Sequence, residues 1–408
     1  MELIVQKFGG TSVADAERIH RAARRAIIVK QAGYDVVIVV SAMGDTTDRL
    51  LRLAQEISPD PPRRELDMLL TTGEQISISL MAMAIHAAGF EAISLTAGQV
   101  GLITDTAYTR ARIQKIKAER IRQELDLGRI VIVAGFQGVD ESGEITTLGR
   151  GASDTTAVAL AAVLKAKRCE IYTDVDGVYT ADPRIEPKAH KIDFISYDEM
   201  LDLTSLGAGV MHTRAIQFGK KYNVEIHVRS SFTDNPGTII THEVKKMEEF
   251  VVSGVTVRKD LAQFVLSGLP DEPGVAARIF ELIAKHNVIV DDIIQTVVDR
   301  KFANVSFIVA HADLAECKLA ISEISQEFGL QDIICNDPIA KVSIVGVGMR
   351  NHFGVAHRMF KALAEAGINI EAISTSEIKI SCVIDPEHAD RAVQAVHAAF
   401  EMEQVNNH

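Results

Sequence analysis

Cysteine is scarce in this sequence and tryptophan is absent from it. Among 408 residues there are four cysteines and no tryptophan. The cysteines are far apart and show no metal-ligand spacing, so we expect neither a disulfide framework nor a zinc site. The chain begins with a strand-like run, Leu3-Ile4-Val5, without the basic and apolar regions of a signal peptide. These features predict a protein of the reducing cytoplasm.

Positive charge and long apolar runs are also lacking. The formal net charge is −12 at pH 7, which argues against a nucleic-acid partner, because contacts to phosphates need a basic face. A local positive pocket for a nucleotide remains compatible with that charge. No uncharged apolar run approaches the length of about 18 residues that a membrane span needs, so we expect no membrane segment. The histidines share no metal-ligand spacing, and we predict no metal site formed by the protein itself.

Residues 1–240 alternate short apolar runs with helical patterns. The apolar runs predict buried strands at Leu3–Phe8, Val36–Ser41, Ala92–Thr96, Ile130–Ala134, Glu170–Thr173 and Glu225–Val228. Three-and-four spacing of apolar residues predicts helices at Ala14–Lys30, Glu65–Ala88, Arg110–Leu125 and Thr155–Ala166. This alternation predicts an α/β fold with a mostly parallel sheet covered by helices on both faces. Ligands of such sheets bind outside the carboxyl ends of the strands.

The C-terminal third of the chain contains an internal repeat. Residues 274–280 match residues 354–360, and the match continues at the same offset from Val290-Asp291 to Ile370-Glu371. Each copy reads as strand, glycine-headed helix, strand, strand, helix and strand, which predicts two small α+β modules. A turn cluster at Thr233–Gly237 precedes the repeat. We therefore predict an N-terminal domain (1–242), a linker and first-strand region (243–262), module 1 (263–337) and module 2 (338–408).

The most distinctive segment is Thr147–Asp154, a glycine-rich turn directly before a predicted helix. Glycines allow backbone N–H groups to approach a ligand closely, and a helix N-terminus favours anions. Arg150 offers a planar guanidinium that suits a carboxylate, and Asp154 can accept a hydrogen bond from an ammonium or hydroxyl group. The alternative is a surface turn in which an aspartate caps the helix.

Two further polar segments follow predicted strands. Lys7–Ser12 follows the first strand, and the backbone N–H groups of Gly9 and Gly10 could hold a phosphate beside the Lys7 ammonium. The spacing is not that of a P-loop, and such a turn can also exist without a ligand. Ser41–Asp48 follows the second strand in the same way.

Carboxylates are concentrated at two other places. Glu74 lies in a mainly apolar helix, where composition alone favours a solvated side chain over a partner for a buried cation. The acidic segment Tyr172–Arg184 leaves a predicted strand and turns at Gly177. Its carboxylates could approach a metal–nucleotide complex and its tyrosines could flank a base. The alternative is a solvated acidic turn.

These segments together resemble the aspartate kinases, a family within the amino acid kinase superfamily. The resemblance covers essentially the whole chain, and the C-terminal repeat resembles the paired ACT modules of that family. It implies an amino acid kinase catalytic domain at 1–242 followed by two ferredoxin-like ACT modules. The segments that carry it, in the family's order, are Lys7–Ser12, Ser41–Asp48, Thr72-Gly73-Glu74, Thr147–Asp154 and Thr173–Arg184.

The resemblance implies transfer of the γ-phosphoryl group of ATP to the β-carboxylate of L-aspartate, the first step of lysine, threonine and methionine biosynthesis. Mg²⁺ would be carried by the nucleotide. The implied catalytic residues are Lys7, Arg150 and Asp154, with Arg150 on the substrate α-carboxylate and Asp154 as an orienting group. The substrate pocket would also include Ser41, Thr47, Glu74 (on the ammonium) and Ser153. The nucleotide would contact Lys7, Phe8, Gly9, Gly10, Thr173, Asp174, Tyr179, Asp182 and Arg184.

The resemblance also implies inhibition by an amino acid, lysine and/or threonine, bound at the ACT modules, and a homo-oligomer formed through them. Ile289 stands where relatives often have asparagine, whereas the second copy keeps Asn369, so the two copies would differ in binding. The implied effector residues of module 1 are Asp271, Gly274, Val275, Ala276, Ile289, Val290, Asp291 and Gln295. Those of module 2 are Phe353, Gly354, Val355, Asn369, Ile370, Ser374 and Thr375.

Three points stay open at this stage. Gly209 stands where many relatives carry a lysine near the nucleotide, so a cation from that loop is not expected. Met247 could start a short regulatory subunit, or it is an ordinary linker methionine. The alternative functions are a kinase of another small carboxylate, carbamate or nucleotide, and a non-catalytic amino-acid sensor on a kinase fold.

Overall fold

The computed structural model describes residues 1–242, 251–298 and 301–403. The chain divides by its contacts into two units. The first contains residues 1–179 and the described part of 191–247, and the second contains residues 180–190 and the described part of 248–408. Met247, the possible second start, lies outside the described residues.

The first unit contains a mostly parallel eight-stranded sheet, a four-stranded sheet and a two-stranded ribbon. Its strands are β1 (Leu3–Phe8), β2 (Asp35–Val40), β3 (Ala92–Leu95), β4 (Leu102–Thr104), β5 (Ile113–Ile116), β6 (Ile130–Ala134), β7 (Gln137–Val139), β8 (Ile145–Thr147), β9 (Arg168–Thr173), β10 (Val178–Tyr179), β11 (Lys191–Ile192), β12 (Phe194–Ser196), β13 (Ile226–Ser230) and β14 (Thr238–Thr241). The large sheet has the order β12-β14-β13-β9-β1-β2-β6-β3, in which β13 and β14 pair antiparallel and the other neighbours pair parallel.

Helices lie against the large sheet because its central strands are apolar on both faces. Ile38 packs in a core formed with α1 and α4, whereas Val37 and Val39 point the other way and are equally buried. Helix α7 contacts the same strands, β1 and β2. This architecture confirms the predicted α/β fold class. The helices of this unit are α1 (Ala16–Gln31), α2 (Thr46–Ile57), α3 (Arg63–Leu70), α4 (Thr72–Ala87), α5 (Ala97–Val100), α6 (Glu119–Asp126), α7 (Ser153–Leu164), α8 (Tyr197–Ser205) and α9 (Thr213–Tyr222).

One helix prediction is wrong over the first half of its range. Of the run Arg110–Leu125, only the second half is helical, as α6, whereas β5 (Ile113–Ile116) belongs to the four-stranded sheet of order β5-β4-β7-β8. Antiparallel pairing with β4 satisfies the backbone of this segment, and Lys117 N–H donates to the Gly101 carbonyl just beyond it. The tertiary pairing therefore overrides the local helical pattern.

The helical stretch Arg63–Ala87 is long and apolar enough to pass a length-and-composition test for a membrane span. More than half of its apolar window is buried inside the protein, and it carries the buried carboxylates of Asp67 and Glu74. A core helix passes the same test, so this stretch is weak support for a span. It is the one such helix in the described part of the chain.

The second unit contains one antiparallel six-stranded sheet of order β16-β17-β15-β18-β20-β19. Its strands are β15 (Gly254–Pro270), β16 (Val290–Val297), β17 (Phe302–Ala310), β18 (Asp332–Val345), β19 (Ala372–Thr375) and β20 (Lys379–Ile384). Its helices are α10 (Val275–Lys285), α11 (Leu314–Phe328), α12 (Val355–Glu365) and α13 (Ala389–Ala399). Gly274 and Gly354 precede α10 and α12 with φ of +99° and +85°, as the glycine-headed helices of the repeat predict.

Two separate apolar cores lie beneath the helices of this sheet. One forms under α10 and α11, and the other forms under α12 and α13. The predicted boundaries after residues 262 and 337 fall inside single continuous strands, β15 and β18. The start of β15, which the sequence assigned to the linker region, pairs with the end of β18, where Gly254 lies opposite Val345. The two modules therefore share strands.

Candidate active site

Two loops meet at the carboxyl ends of β1 and β2. Ser41 N–H donates to the Phe8 carbonyl, and Gly44 N–H donates to the Gly10 carbonyl. A Cβ on Gly10 would lie 2.9 Å from the Ala42 carbonyl oxygen, so no larger residue fits there without moving the loop after β2. The chain thus brings the predicted segments Lys7–Ser12 and Ser41–Asp48 into direct contact.

The predicted cradle of two glycine amides is only partly available to a phosphate. Gly9 N–H already donates to the Tyr172 carbonyl at 3.3 Å. The Phe8 ring is fully buried and stacks on the Tyr172 ring, with centroids 4.8 Å apart. Because its side chain is enclosed, Phe8 can offer a nucleotide only its backbone, and its predicted contact with the nucleotide stays a prediction.

Lys7 and Asp154 form a buried ion pair at this edge. Lys7 Nζ lies 2.6 Å from Asp154 Oδ1, and the two side chains are 12 % and 8 % exposed. Asp154 lies in the first turn of α7, and its Oδ2 accepts from the His212 N–H at 3.1 Å. Burial lowers the pKa of His212, which favours its neutral form next to the pair. The carboxylate of Asp154 thus fixes the position of the Lys7 ammonium.

Glu74 is buried, in contrast to the solvated side chain that composition alone favoured. It lies in the first turn of α4, is 3 % exposed, and its Oε1 accepts from the Ala42 N–H at 3.1 Å. Among the residues that the structure describes, none forms a hydrogen bond of good geometry with Oε2. The Gln137 amide donates to the Thr71 carbonyl, and it also lies near enough to the Glu74 carboxyl to lower its pKa a little against the effect of burial. Burial raises the pKa of Glu74 to about 7. A cation would find an incompletely paired carboxylate here.

Arg150 extends into solvent. Its guanidinium is 80 % exposed and pairs with the Asp48 carboxylate at 2.7 Å. The pair joins the segment after β8 to the first turn of α2, where Thr47 is half-buried. Ser153, in contrast, is 5 % exposed and faces Gly135, where a Cβ would lie 2.6 Å from the Ser153 hydroxyl. Arg150 is thus free to turn towards a ligand, whereas Ser153 is fixed by packing.

The predicted nucleotide residues are divided between the two units. Thr173 ends β9 and its hydroxyl donates to Asp174, both in the first unit. Burial and the neighbouring Asp176 raise the pKa of Tyr179 to about 12, and the Tyr179 hydroxyl donates to that carboxylate at 2.7 Å. Asp182 and Arg184 belong to the second unit, where they form a pair at 2.6 Å.

Three residues that the sequence analysis missed hold the Thr147–Asp154 segment. Asp67 accepts from Thr147, Arg214 Nη1 donates to the Leu148 carbonyl at 2.8 Å, and His212 N–H donates to Asp154. One sequence signal could have found Asp67. It precedes Glu74 by two helical turns and is likewise a charge within an apolar helical pattern. The other two come from a loop whose position depends on the tertiary fold.

The predicted effector residues of module 1 fall at two ends of the sheet rather than in one cluster. The strand register places the start of β16 level with Ala262 and its end level with Leu269. Residues 289–291 therefore lie at one end of the module, and residues 271–276, which follow β15, lie at the other. Ile289 is 80 % exposed, and Asp291 pairs with Lys341, which is fully buried. Gln295 lies between the two ends.

Module 2 repeats this arrangement. Phe353–Val355 and Ser374-Thr375 lie at one end, and Asn369-Ile370 at the other. A pocket of about 710 Å³ opens on the shared sheet, and none of the predicted effector residues lines it. The residues around it include Gln263, Ser306, Asn336, Glu371 and Asp385.

Comparison with known families supports the two-part organisation. The amino acid kinase family matches residues 2–230, and ACT domain families match residues 264–329 and 342–400. An aspartate kinase of Stutzerimonas stutzeri is 51 % identical over 404 residues, which cover 99 % of this chain and 98 % of that protein. An aspartokinase of Thermus thermophilus is 48 % identical over 99 % of this chain and its own full length.

The chain belongs to the amino acid kinase family, as an aspartate kinase. The resemblance that the motifs suggested is therefore confirmed. Among solved structures, aspartokinase III of E. coli in complex with aspartate and ADP has a TM-score of 0.85 at 25 % identity, covering 98 % of this chain and 99 % of that one. An aspartate kinase of Synechocystis is 47 % identical with a TM-score of 0.55, and this chain spans 69 % of it. The aspartate kinase described here is thus an ATP-dependent enzyme.

Proposed function

We propose that the enzyme transfers the γ-phosphoryl group of ATP to the β-carboxylate of L-aspartate and forms 4-phospho-L-aspartate. The observation that carries the proposal is the buried Glu74 carboxylate beside the loop after β2, whose Oε2 has no hydrogen-bond partner of good geometry among the described residues. The ammonium of an amino-acid substrate would supply the missing partner and offset the cost of the buried charge. The E. coli relative binds aspartate and ADP, which fits the same substrates here.

The phosphate side of the site rests on Lys7. A carboxylate that attacks a phosphate is an encounter of two anions, which the Lys7 ammonium and a Mg²⁺ ion would screen. In the described parts of the chain, no group of three or more His, Cys, Asp or Glu side chains is arranged to hold a metal. We assign Mg²⁺ to the nucleotide phosphates, as the resemblance to the family implies. No general base is needed, because the β-carboxylate is already ionised at pH 7, and Asp154 orients Lys7.

Arg150 is assigned to the α-carboxylate of the substrate. Its exposed guanidinium already binds the Asp48 carboxylate, and a substrate carboxylate would exchange with that partner. Ser41, Thr47 and Ser153 would line the rest of the pocket. For the nucleotide we propose Thr173, Asp174 and Tyr179 of the first unit, whereas Asp182 and Arg184 stay predictions from the resemblance.

We further propose that lysine and/or threonine inhibits the enzyme through the ACT modules and that the chain forms a homo-oligomer through their shared sheet. Exposed apolar side chains on that sheet, among them Ile294, Ile334 and Ile373, support such pairing. A short regulatory subunit starting at Met247 remains a hypothesis. The pathway assignment to lysine, threonine and methionine biosynthesis and a cytoplasmic location belong to the same proposal.

The test is an assay with MgATP and a panel of acceptors: aspartate, glutamate, N-acetylglutamate and UMP. Hydroxylamine in the mixture converts an acyl phosphate to a hydroxamate, which identifies a carboxyl group as the acceptor. We expect hydroxamate from aspartate alone. Turnover of another acceptor in preference to aspartate would refute the assigned substrate, and aspartate binding without turnover would support a sensor.

Variants then test the residue roles. We expect Arg150→Ala to raise the aspartate KM at least tenfold with a small change in kcat, because it removes a contact to an unreactive part of the substrate. Lys7→Ala should mainly lower kcat, because its charge acts on the reacting groups. Arg21→Ala is the matched control, since the partly exposed Arg21 pairs with Glu17 and both residues lie within α1. An unchanged aspartate KM in the Arg150 variant would remove that assignment.

A further inference from the structure

Asp67 is a fully buried carboxylate that forms no ion pair with any residue in the described parts of the chain. It lies in α3, and three hydrogen bonds from two threonines surround it. Its Oδ2 accepts from the N–H groups of Thr109 and Thr147, each at 2.9 Å, and its Oδ1 accepts from the Thr147 hydroxyl at 2.7 Å. Burial raises the pKa of Asp67. A buried charge without a cation is costly for a fold unless hydrogen bonds offset it, and the three bonds that do so here all come from Thr109 and Thr147.

The two threonines lie on two separate chain segments that meet at the base of the turn carrying Arg150. Thr147 ends β8, three residues before Arg150. Thr109 has a φ of +69°, in the region that favours glycine, and the bond to Asp67 holds it there. A Cβ on Gly149, which itself has a φ of +97°, would lie 3.5 Å from the Thr109 carbonyl oxygen. Asp67 thus fixes both sides of a close backbone contact at the base of the Arg150 turn.

Further hydrogen bonds hold the backbone at the base of the Arg150 turn. Ala111 N–H donates to the Thr147 carbonyl at 2.8 Å, and Arg214 donates to the carbonyls of Leu148 and Ala111 at 2.8 and 3.3 Å. Leu148 is 1 % exposed. Hydrogen bonds and packing therefore hold the backbone in place up to Leu148. The Arg150 side chain, two residues later, is 80 % exposed and can change its orientation.

We propose that Asp67 is a positioning residue for the substrate: it holds Thr147 and thereby sets where the Arg150 guanidinium meets the α-carboxylate of aspartate. The proposal rests on the proposed function, since it assigns Asp67 an effect through Arg150. Asp67 touches neither aspartate nor ATP. Its loss changes the recognition of aspartate and leaves ATP binding and the chemical step nearly unchanged.

The first test is Asp67→Asn, whose amide oxygen can still accept from the two backbone N–H groups but lacks the charge that strengthens these bonds, while its NH₂ faces the Thr147 hydroxyl. We expect the aspartate KM to rise at least tenfold, with the ATP KM within twofold and kcat within threefold of wild type. Glu65→Gln, an exposed carboxylate on the same helix, is the matched control and should leave all three unchanged. A parallel loss in both KM values and kcat would show a general structural role and overturn the proposal.

The second test is the same change in the Arg150→Ala background. If Asp67 acts through Arg150, the added rise in the aspartate KM is less than twofold, because coupled residues are not additive. A full additive rise overturns the proposal. If Arg150→Ala raises the aspartate KM while Asp67→Asn alone does not, the positioning role fails and the proposed function stands. If Arg150→Ala has no effect on that KM, the assignment of Arg150 fails and the role of Asp67 with it.

A third pair of variants serves if Asp67→Asn does not fold. Thr147→Val removes the hydroxyl that donates to Asp67 and keeps the backbone N–H, whereas Thr147→Ser keeps both. We expect the valine variant to raise the aspartate KM several-fold and the serine variant to match wild type. Equal values for the two variants would overturn the proposal.

Discussion

The pH dependence of aspartate binding should follow the ionisation of Glu74. Burial places the pKa of this carboxyl at about 7 in the free protein, and the proposed ammonium contact needs its ionised form. About one molecule in eleven is ionised at pH 6 and about ten in eleven at pH 8, so kcat/KM for aspartate should fall roughly tenfold between those values. The carboxylates of aspartate have lost their protons well below this range.

The assay measures kcat/KM for aspartate at saturating MgATP between pH 5.5 and 8.5, for the wild type and for Glu74→Gln. The variant keeps an acceptor for the Ala42 N–H but carries no charge, so its kcat/KM should be lower and flat across this range. Glu65→Gln, with its exposed side chain, should retain the wild-type profile. A wild-type profile without an acidic limb, or a limb that persists in Glu74→Gln, would refute the reasoning.

The pH dependence of the free energy of unfolding provides an independent test of the raised pKa of Glu74. Because the folded-state pKa of Glu74 is raised above its unfolded value of 4.5, the folded protein holds a proton that the unfolded chain releases. The protonated Glu74 carboxyl contributes most to the stability of the folded state below pH 4.5, and this contribution is lost as the pH rises through about 7. The free energy of unfolding of the wild type relative to Glu74→Gln should therefore fall by roughly 3 kcal/mol between pH 4.5 and 8. A constant difference would contradict the raised pKa.

Two further substitutions test the loops of the site. Asp48→Ala should lower the aspartate KM about two- to fivefold, because it frees Arg150 from an exposed ion pair of modest strength. Asp45→Ala, three residues earlier, is the control. An unchanged aspartate KM in the Asp48 variant would speak against Arg150 as the ligand of the substrate carboxylate. Gly10→Ala should cut kcat/KM by at least 100-fold and lower the thermal midpoint, since its Cβ would lie 2.9 and 3.0 Å from two carbonyl oxygens and overpacking costs about 1–3 kcal/mol. Gly209→Ala, where a Cβ meets nothing within 4 Å, should match wild type, and equal behaviour of the two glycine variants would disprove the close packing of the loops.

The strands of the catalytic sheet are predicted well from the sequence, because strands that are buried on both faces are rich in apolar residues. Ile130–Ala134 is a continuous run of apolar residues and Leu3–Phe8 begins with one, and the structure has both strands at those bounds. The run Arg110–Leu125 was harder, since β5 exists through pairing with β4, a partner that local spacing does not reveal.

The site shows a similar division. Resemblance to a family identified Lys7 and Asp154 as site residues, but their ion pair joins positions far apart in the chain. Composition favoured a solvated Glu74, because a single charge in an apolar helix gives no sign of which way it points. Asp67 was overlooked for the same reason. Whether such a charge is buried depends on the neighbouring segments, here the loops that donate to it.

The strands that the two ACT modules share bear on how these modules can be exchanged between relatives. A chimaera joined after residue 337 would change sequence in the middle of β18, and one joined after residue 262 would do so within β15. Each splice would leave part of one strand paired with a strand of the other protein. A graft that is meant to carry a new effector response should therefore transplant residues 254–399 together, so that both shared strands keep their partners.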